Sequence, residues 1–203
     1  MSEQASNAGY GQEAEDLFRR YEARAAEDVH KRWLHLFPTP PARVLDIGAG
    51  TGRDASWFVS LGHSVLAVEP TDELRLGAQK LHPEPEITWL DDALPELPNV
   101  QALGETFDLI LMNAVWMHFD ETEREAGMAH LAPLLNPGGR IAMTQRHGPI
   151  PEGRRMFEVS GKETIALAAK FGLKNLMHER IGSAAAENKA RGIEWTKLVF
   201  EKI

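Results

Sequence analysis

Short apolar runs alternate with longer amphipathic stretches along most of the chain. The apolar runs have the length of buried strands, and the amphipathic stretches repeat their apolar residues at helical spacing. The predicted strands are Val44–Ile47, His63–Glu69, Ile87–Leu90, Phe107–Met112, Ile141–Gln145, Asn175–Ile181 and Trp195–Ile203. The predicted helices are Glu13–Phe37, Arg53–Leu61, Thr71–Leu81, Asp120–Leu131 and Lys162–Phe171. This alternation predicts an α/β fold with a mostly parallel, doubly wound sheet and helices on both faces.

The first predicted strand runs directly into a glycine-rich turn that opens the next helix. Glycines stand at positions 48, 50 and 52, and an acid, Asp46, precedes them. Because glycine has no Cβ and tolerates positive φ, such a turn lets the backbone approach a nucleotide-like cofactor closely. A dinucleotide fingerprint would need its third glycine at position 53, which is Arg53. The spacing therefore favours another class of cofactor.

Further landmarks follow the glycine turn in a fixed order. Glu69 closes the second strand, Asp91-Asp92-Ala93 follows the third, Asn113 follows the fourth, and Asn136-Pro137-Gly138-Gly139 turns into the fifth. Together with Asp46 and the glycines, this series resembles the class I S-adenosylmethionine-dependent methyltransferases of small-molecule type, from about Arg43 to the C-terminus. The resemblance implies a Rossmann-like, seven-stranded sheet whose last strand is antiparallel.

The resemblance also implies a site for S-adenosyl-L-methionine and for its product, S-adenosyl-L-homocysteine. Asp46 would meet the methionine end, Glu69 the ribose hydroxyls, and Asp92 the adenine, with Asp91 as the open alternative. Tyr21 enters by analogy with N-terminal helices that close over the cofactor, although packing in an apolar stripe explains it equally well. The cofactor-binding candidates are Tyr21, Asp46, Gly48, Ala49, Gly50, Glu69, Pro70, Asp92, Ala93 and Asn113.

Candidates for the substrate side follow the fourth and fifth strands, because ligands of open α/β sheets bind at the carboxyl ends of the strands. The substrate-binding candidates are Trp116, Arg146, Arg154 and Arg155, and the catalytic candidates are His118 and His147. A histidine there could act as a general base or be structural. The three arginines could bind a carboxylate or phosphate, or they could pair with acids at the surface.

Composition and charge narrow the class of protein and the partners that it could bind. The chain has 203 residues, 43% of them hydrophobic, which suits one domain. We expect a disordered leader (1–12), an N-terminal helix or lid with its linker (13–41) and a methyltransferase core (42–203). The net charge of −8 disfavours nucleic acid as a partner, and the absence of cysteine and of clustered histidines predicts no metal. Neither a membrane-spanning run nor a signal peptide is evident, so we expect a soluble, cytoplasmic monomer or homodimer.

Three functions remain open. The leading one is transfer of a methyl group from S-adenosylmethionine to an oxygen or nitrogen atom of a small metabolite, with the arginines suggesting an anionic one. The second is a catalytically silent module that binds the cofactor and regulates a partner. The third, an NAD(P)-dependent oxidoreductase, is disfavoured by the glycine spacing.

Overall fold

The structure is a computed structural model that describes residues 7–203 and contains one seven-stranded sheet. The strands are β1 (Arg43–Ile47), β2 (Ser64–Val68), β3 (Ile87–Leu90), β4 (Phe107–Met112), β5 (Leu135–His147), β6 (Leu173–Gly182) and β7 (Glu194–Lys202). Their order across the sheet is β3-β2-β1-β4-β5-β7-β6. Strands β1 to β5 pair in parallel, whereas β7 runs antiparallel to both β5 and β6. The predicted fold, including its antiparallel last strand, is confirmed.

Helices flank the sheet, and the alternation of side chains along each strand produces two cores. In residues 7–203 the helices are α1 (Ala14–Glu22), α2 (Ala26–His30), α3 (Arg53–Ser60), α4 (Asp72–Leu81), α5 (Pro98–Ala102), α6 (Glu121–Leu131), α7 (Gly161–Lys170) and α8 (Ala186–Ala190). Leu45 and its neighbours on one face pack with α5, α6 and α7. Val44 and its neighbours on the other face pack with α3 and Trp33. No helix within the described residues is both long and apolar enough to span a bilayer.

The N-terminal region differs from the predicted single helix over 13–37. It forms α1 and α2, separated at Ala25 by an extended backbone, and then a 3₁₀ turn over Leu34–Leu36. Trp33 is fully buried in an aromatic cluster that includes Phe37 and Trp57. Because α1 and this cluster pack against different surfaces, one straight helix could not bury both sets of apolar residues.

The predicted leader over 1–12 also differs from the structure in part. Residues 1–6 lie outside the described residues, whereas residues 7–12 form turns with defined contacts to the core. The hydroxyl of Tyr10 lies 3.1 Å from Nε2 of His118, and its ring lies under the guanidinium of Arg154. Burial of this ring fixes the segment in place, which its small, polar composition did not indicate.

The order of strands places a crevice at the centre of the sheet. Chain connections leave β1 in one direction along the sheet and β4 in the other, so the loops after these two strands separate at their carboxyl ends. Such a switch point is where open α/β sheets bind ligands. The loops after β1, β2, β3 and β4 carry the predicted cofactor residues to this edge.

Candidate cofactor and substrate site

The glycine-rich turn after β1 has the geometry that requires glycine. Gly48, Gly50 and Gly52 have φ values of 69°, 58° and 85°, all in the left-handed region. A Cβ on Gly48 would lie 2.6 Å from Cγ2 of Val115, and one on Gly52 would lie 2.9 Å from the Trp89 ring. The turn therefore depends on glycine for both its backbone conformation and its close packing.

Glu69 connects the end of β2 to this turn. Its two carboxylate oxygens accept hydrogen bonds from the backbone amides of Gly50, at 2.9 Å, and Thr71, at 2.8 Å. The side chain is buried, and burial raises the pKa of its carboxyl above the usual range despite these hydrogen bonds. Each oxygen keeps a further lone pair, so the carboxylate can still accept from hydroxyl groups of a ligand.

Asp46, at the end of β1, is a buried carboxylate with an unsatisfied oxygen. Its side chain is 2% exposed, and Oδ2 has no hydrogen-bond partner among residues 7–203. Burial, followed by the nearby negative charge of Asp54, raises the pKa of Asp46 well above its usual range. A buried carboxylate with an oxygen that lacks a hydrogen-bond partner attracts a cation or a hydrogen-bond donor from a ligand.

Asp54 itself is held by cationic and polar partners. Burial alone would raise its pKa, but His30, whose Nε2 lies 3.2 Å away, and Arg53, at 2.7 Å, lower it instead. The Asn113 side-chain amide also donates to Asp54, at 3.2 Å. Asp54 is therefore satisfied within the protein, whereas Asp46 is not.

The loop after β4 is fixed by a polar chain that begins at Asn113. The hydroxyl of Thr144 donates to the side-chain oxygen of Asn113, at 2.8 Å, and accepts from the amide of Ala114, at 2.7 Å. Ala114 has a φ of 65°, which a residue with a Cβ adopts at a cost of about 1 kcal/mol or more. These contacts hold the loop against the glycine turn.

The acids after β3 have different surroundings. Asp92 is buried and accepts hydrogen bonds from the amides of Ala93, Asn99 and Val100, at 2.8 to 2.9 Å. Asp91 is more exposed, and it lies 3.4 Å from the guanidinium of Arg75. Asp92, and not Asp91, lines the cavity described next, which favours the choice of Asp92 made from the sequence.

Two adjoining cavities open at the carboxyl edge of the sheet. The small cavity, of about 100 Å³, is lined by residues that include Tyr10, Tyr21, Glu69, Pro70, Asp92, Ala93 and His118. The large cavity, of about 750 Å³, extends along β5 and β7 beneath α1 and contains Asp46 and Ala49. The residues that line both cavities are Tyr21, Gly48, Gly50, Asn113 and Ala114. All ten predicted cofactor residues therefore lie on these two adjoining surfaces.

The two candidate histidines have different positions. Nδ1 of His118 lies 2.7 Å from the carbonyl oxygen of Arg155, which can only accept, so Nδ1 carries the proton. Nε2 is then the acceptor for the Tyr10 hydroxyl. Burial lowers the pKa of His118, so its imidazole is neutral near pH 7.

His147, the other candidate, lies 2.8 Å through Nε2 from the hydroxyl of Thr196 and lines neither cavity. Its position therefore does not support the predicted catalytic role.

The three candidate arginines do not converge on one site. Arg155 pairs with Glu123, at 2.7 Å, and lines neither cavity. Arg154 reaches the large cavity but pairs with Glu13, at 2.6 Å, and lies over the ring of Tyr10. Arg146 lines the large cavity and, unlike Arg154 and Arg155, forms no ion pair within residues 7–203; its buried Nη1 has no partner among these residues.

Trp116 is not the predicted wall of the substrate site. The chain turns after Ala114, and the indole is fully buried in the core, where it packs against Gly127. It lines neither cavity. The Trp116 ring therefore packs in the apolar core beside β4 and α6.

Several residues at the site were missed by the sequence analysis. Tyr10 and Asn7 line the small cavity, and Arg191 and Lys197 line the large one. Tyr10 lies in the predicted leader and Lys197 on the predicted last strand, and nothing local in the sequence marks either as part of a site. Arg191 had one available signal, because it lies between the last two predicted strands, in a segment outside the predicted core elements.

Among residues 7–203 no group of three or more histidine, cysteine, aspartate or glutamate side chains is placed to hold a metal ion.

Comparison with known proteins agrees with this architecture. Residues 44–139 match the family described as a methyltransferase domain. An uncharacterized methyltransferase of Bacillus thuringiensis is 31% identical over 127 residues, which are 62% of this chain and 53% of the relative. The chain thus spans about half the length of the curated relatives it matches.

Solved structures share the whole fold. The 1,6-didemethyltoxoflavin N1-methyltransferase of Burkholderia thailandensis, solved with 1,6-didemethyltoxoflavin and S-adenosylhomocysteine, has a TM-score of 0.71 at 23% identity, over 94% of this chain and 84% of that one. The N-methyltransferase NodS of Bradyrhizobium japonicum, solved with S-adenosylhomocysteine, has a TM-score of 0.69 at 14% identity, over 98% and 99%. The matched domain, the related sequences and the shared fold all support the resemblance to the class I S-adenosylmethionine-dependent methyltransferases that the sequence shows.

Proposed function

We propose that this protein transfers the methyl group of S-adenosylmethionine to an oxygen or nitrogen atom of a small metabolite that carries a negative charge. The observation that carries the proposal is the junction of the two cavities at Gly48, Asn113 and Ala114. A cofactor that lies along the glycine turn would present its reactive centre at this junction. A substrate in the large cavity would approach the same point.

The residues present fit the cofactor. Asp46 has a buried, unpaired oxygen that suits the ammonium group of the methionine end. Glu69 retains lone pairs for the two ribose hydroxyls, and Asp92 with Ala93 borders the place of the adenine. Gly50 lines both cavities, and a Cβ on it would stand in open space, 3.9 Å from the nearest atom. When bound, the cofactor supplies a sulfonium-activated methyl group.

The protein itself contributes position and a path for a proton. Methyl transfer forms a bond from the acceptor atom to the methyl carbon as the bond from carbon to sulfur breaks, and its electron pair stays on sulfur. A hydroxyl or ammonium acceptor must also lose a proton. The Tyr10–His118 pair can take it, because the phenol oxygen can accept while its own proton passes to Nε2 of the neutral imidazole. The walls of the cavities align the reactants and exclude water.

The charge of the large cavity supports an anionic acceptor. Ten arginine and lysine side chains line it against five acidic ones, although the whole chain has a net charge of −8. Positive charge concentrated in a cleft draws anions toward it. The metal-free prediction is consistent with this chemistry, because transfer of an activated methyl group needs no metal.

Methyl transfer from tritiated S-adenosylmethionine tests the proposal. The purified protein is incubated with small hydroxy and amino acids, each beside its neutral amide. We expect labelled product from acids and little from the matched amides. Cofactor binding without transfer to any acceptor would favour the silent regulatory module, and labelling of amides as readily as acids would overturn the anionic part.

A further inference from the structure

One wall of the large cavity is formed by two paired strands. Thr144 and Arg146 of β5 lie opposite Lys197 and Trp195 of β7, respectively. Residues two apart on a strand, and residues directly opposite each other, point to the same face of a sheet. All four residues line the large cavity, so this wall leads from the cofactor junction outward along β5.

The outer end of the wall carries two arginines that lack an acidic partner. Nη1 of Arg146 is buried without a hydrogen bond, and neither Arg146 nor Arg191 forms an ion pair within residues 7–203. Burial and the nearby charge of Arg191 both lower the pKa of Arg146. Among the other arginines that line the cavity, Arg53 and Arg154 have carboxylate partners, whereas Arg24 also forms no ion pair within residues 7–203. Two neighbouring guanidinium groups without a counter-charge form a site for an oxyanion.

Trp195 places a flat apolar surface beside these cations. Its side chain is half-buried and lines the large cavity, and none of the ring contacts found in the described part of the chain involves it. An indole face that is open to a cavity favours a ring that stacks on it. A flat surface next to a guanidinium pair favours an acid group attached directly to a ring over an inorganic anion.

The length of the wall limits the size of this ligand. Thr144, whose hydroxyl fixes the Asn113–Ala114 loop at the cofactor junction, is two residues from Arg146. At about 3.3 Å per residue, the two positions are about 7 Å apart along the strand. One six-membered ring with a substituent at each end covers a distance of this order. The acid group and the methylated atom would then lie on opposite sides of the ring.

We propose that the acceptor is an aromatic carboxylate, held by Arg146 and Arg191 with its ring against Trp195 and with its hydroxyl or amino group directed toward the cofactor junction. This inference rests on the proposed function for the identity of the reaction. The anion subsite itself can be tested without turnover.

Calorimetric titrations with 4-hydroxybenzoate test the subsite. The protein saturated with S-adenosylhomocysteine is titrated with 4-hydroxybenzoate, 4-hydroxybenzamide, acetate and inorganic phosphate, and each titration is repeated without cofactor product. We expect the benzoate to bind at least about tenfold more tightly than the amide, as loss of a hydrogen bond to a charged group predicts. Phosphate or acetate binding as tightly as the benzoate would overturn the aromatic assignment.

Charge-removing variants locate the binding. We expect Arg146→Gln and Arg191→Gln each to weaken binding of 4-hydroxybenzoate about tenfold or more, while Arg146→Lys weakens it less. Arg43→Gln is the matched control, because Arg43 is exposed and pairs with Glu105 at the opposite end of β1. Unchanged benzoate affinity in both glutamine variants would overturn the inference.

The affinity of each variant for S-adenosylhomocysteine separates this inference from the proposed function. Normal product affinity with arginine-independent binding of the benzoate contradicts the subsite alone. Arginine-dependent binding of the benzoate supports the subsite even if wild-type protein fails to bind S-adenosylhomocysteine, a result that would contradict the proposed function.

Discussion

Asp46→Asn should make the protein without cofactor more stable while it removes most of its affinity for the cofactor. Asp46 is buried, its Oδ2 has no partner among the described residues, and Asp54 adds a second negative charge nearby. An unsatisfied buried polar group costs about 1–3 kcal/mol, and more when it is charged. Asparagine removes the charge but keeps a polar group there, so we expect a gain of about 1 kcal/mol, or roughly 2–4 °C in Tm for a chain of this size.

The stability that Asp46→Asn gains over the wild type should increase with pH. The folded-state pKa of Asp46 is raised, so the carboxyl group destabilises the protein only when it is ionised. The wild type and Asp46→Asn should therefore have the same free energy of unfolding near the unfolded-state pKa of about 4. As the pH rises through the folded-state pKa, the free energy of unfolding of the wild type should drop below that of the variant. Urea denaturation at a series of pH values measures this difference.

The same experiments with S-adenosylhomocysteine measure the functional cost. At one hundred times its Kd, a ligand stabilises the folded state by about 2.7 kcal/mol. Removal of one partner from a buried charge pair costs about 2–5 kcal/mol, so affinity should fall about 100-fold. At the same ligand concentration, the stabilisation of the variant should then be about 0.4 kcal/mol. The exposed Asp16→Asn variant serves as the control and should keep the full effect. A destabilised Asp46→Asn protein with normal cofactor affinity would refute the reasoning.

Substitutions at three other positions test separate parts of the structure. Glu69→Gln should weaken binding of S-adenosylhomocysteine about tenfold or more by calorimetry, because it removes a charged acceptor for the ribose hydroxyls; an unchanged Kd would contradict this. Trp116→Ala should lower the free energy of unfolding, measured by urea denaturation, by about 3–5 kcal/mol, as expected of a core residue. The milder Trp116→Phe should leave the KM for the acceptor unchanged. Asp54→Asn should cost about 2 kcal/mol near neutral pH through lost contacts with His30 and Arg53. Because the pKa of Asp54 is lowered, wild type should lose this advantage as the pH falls below about 4, and a constant advantage down to low pH would contradict the assignment.

The sequence predicted the sheet and the cofactor edge well, for a physical reason. Strands β1, β2 and β4 are largely buried on both faces, so they appear as apolar runs, and the polar residues that follow them stand out. Asp46 and Glu69 are therefore visible without a structure. The capping box at Asp120 and Glu123 similarly marked the start of α6, because that signal is local.

Features that depend on contacts between distant residues could not be predicted in this way. Residues 14–37 contain neither glycine nor proline, so nothing local marks the break at Ala25. Arg154 pairs with Glu13, which is 141 positions away, and Arg155 pairs with Glu123. Only the fold shows that these two arginines are neutralised and that Arg146 is not.

Titration of the wild-type protein with S-adenosylhomocysteine and with NAD by isothermal calorimetry tests the central claim most directly. We expect saturable binding of one S-adenosylhomocysteine per chain and no heat of binding for NAD. Binding of NAD instead, or of neither ligand by a folded protein, would contradict the assignment of the glycine turn, Asp46 and Glu69 as an S-adenosylmethionine site.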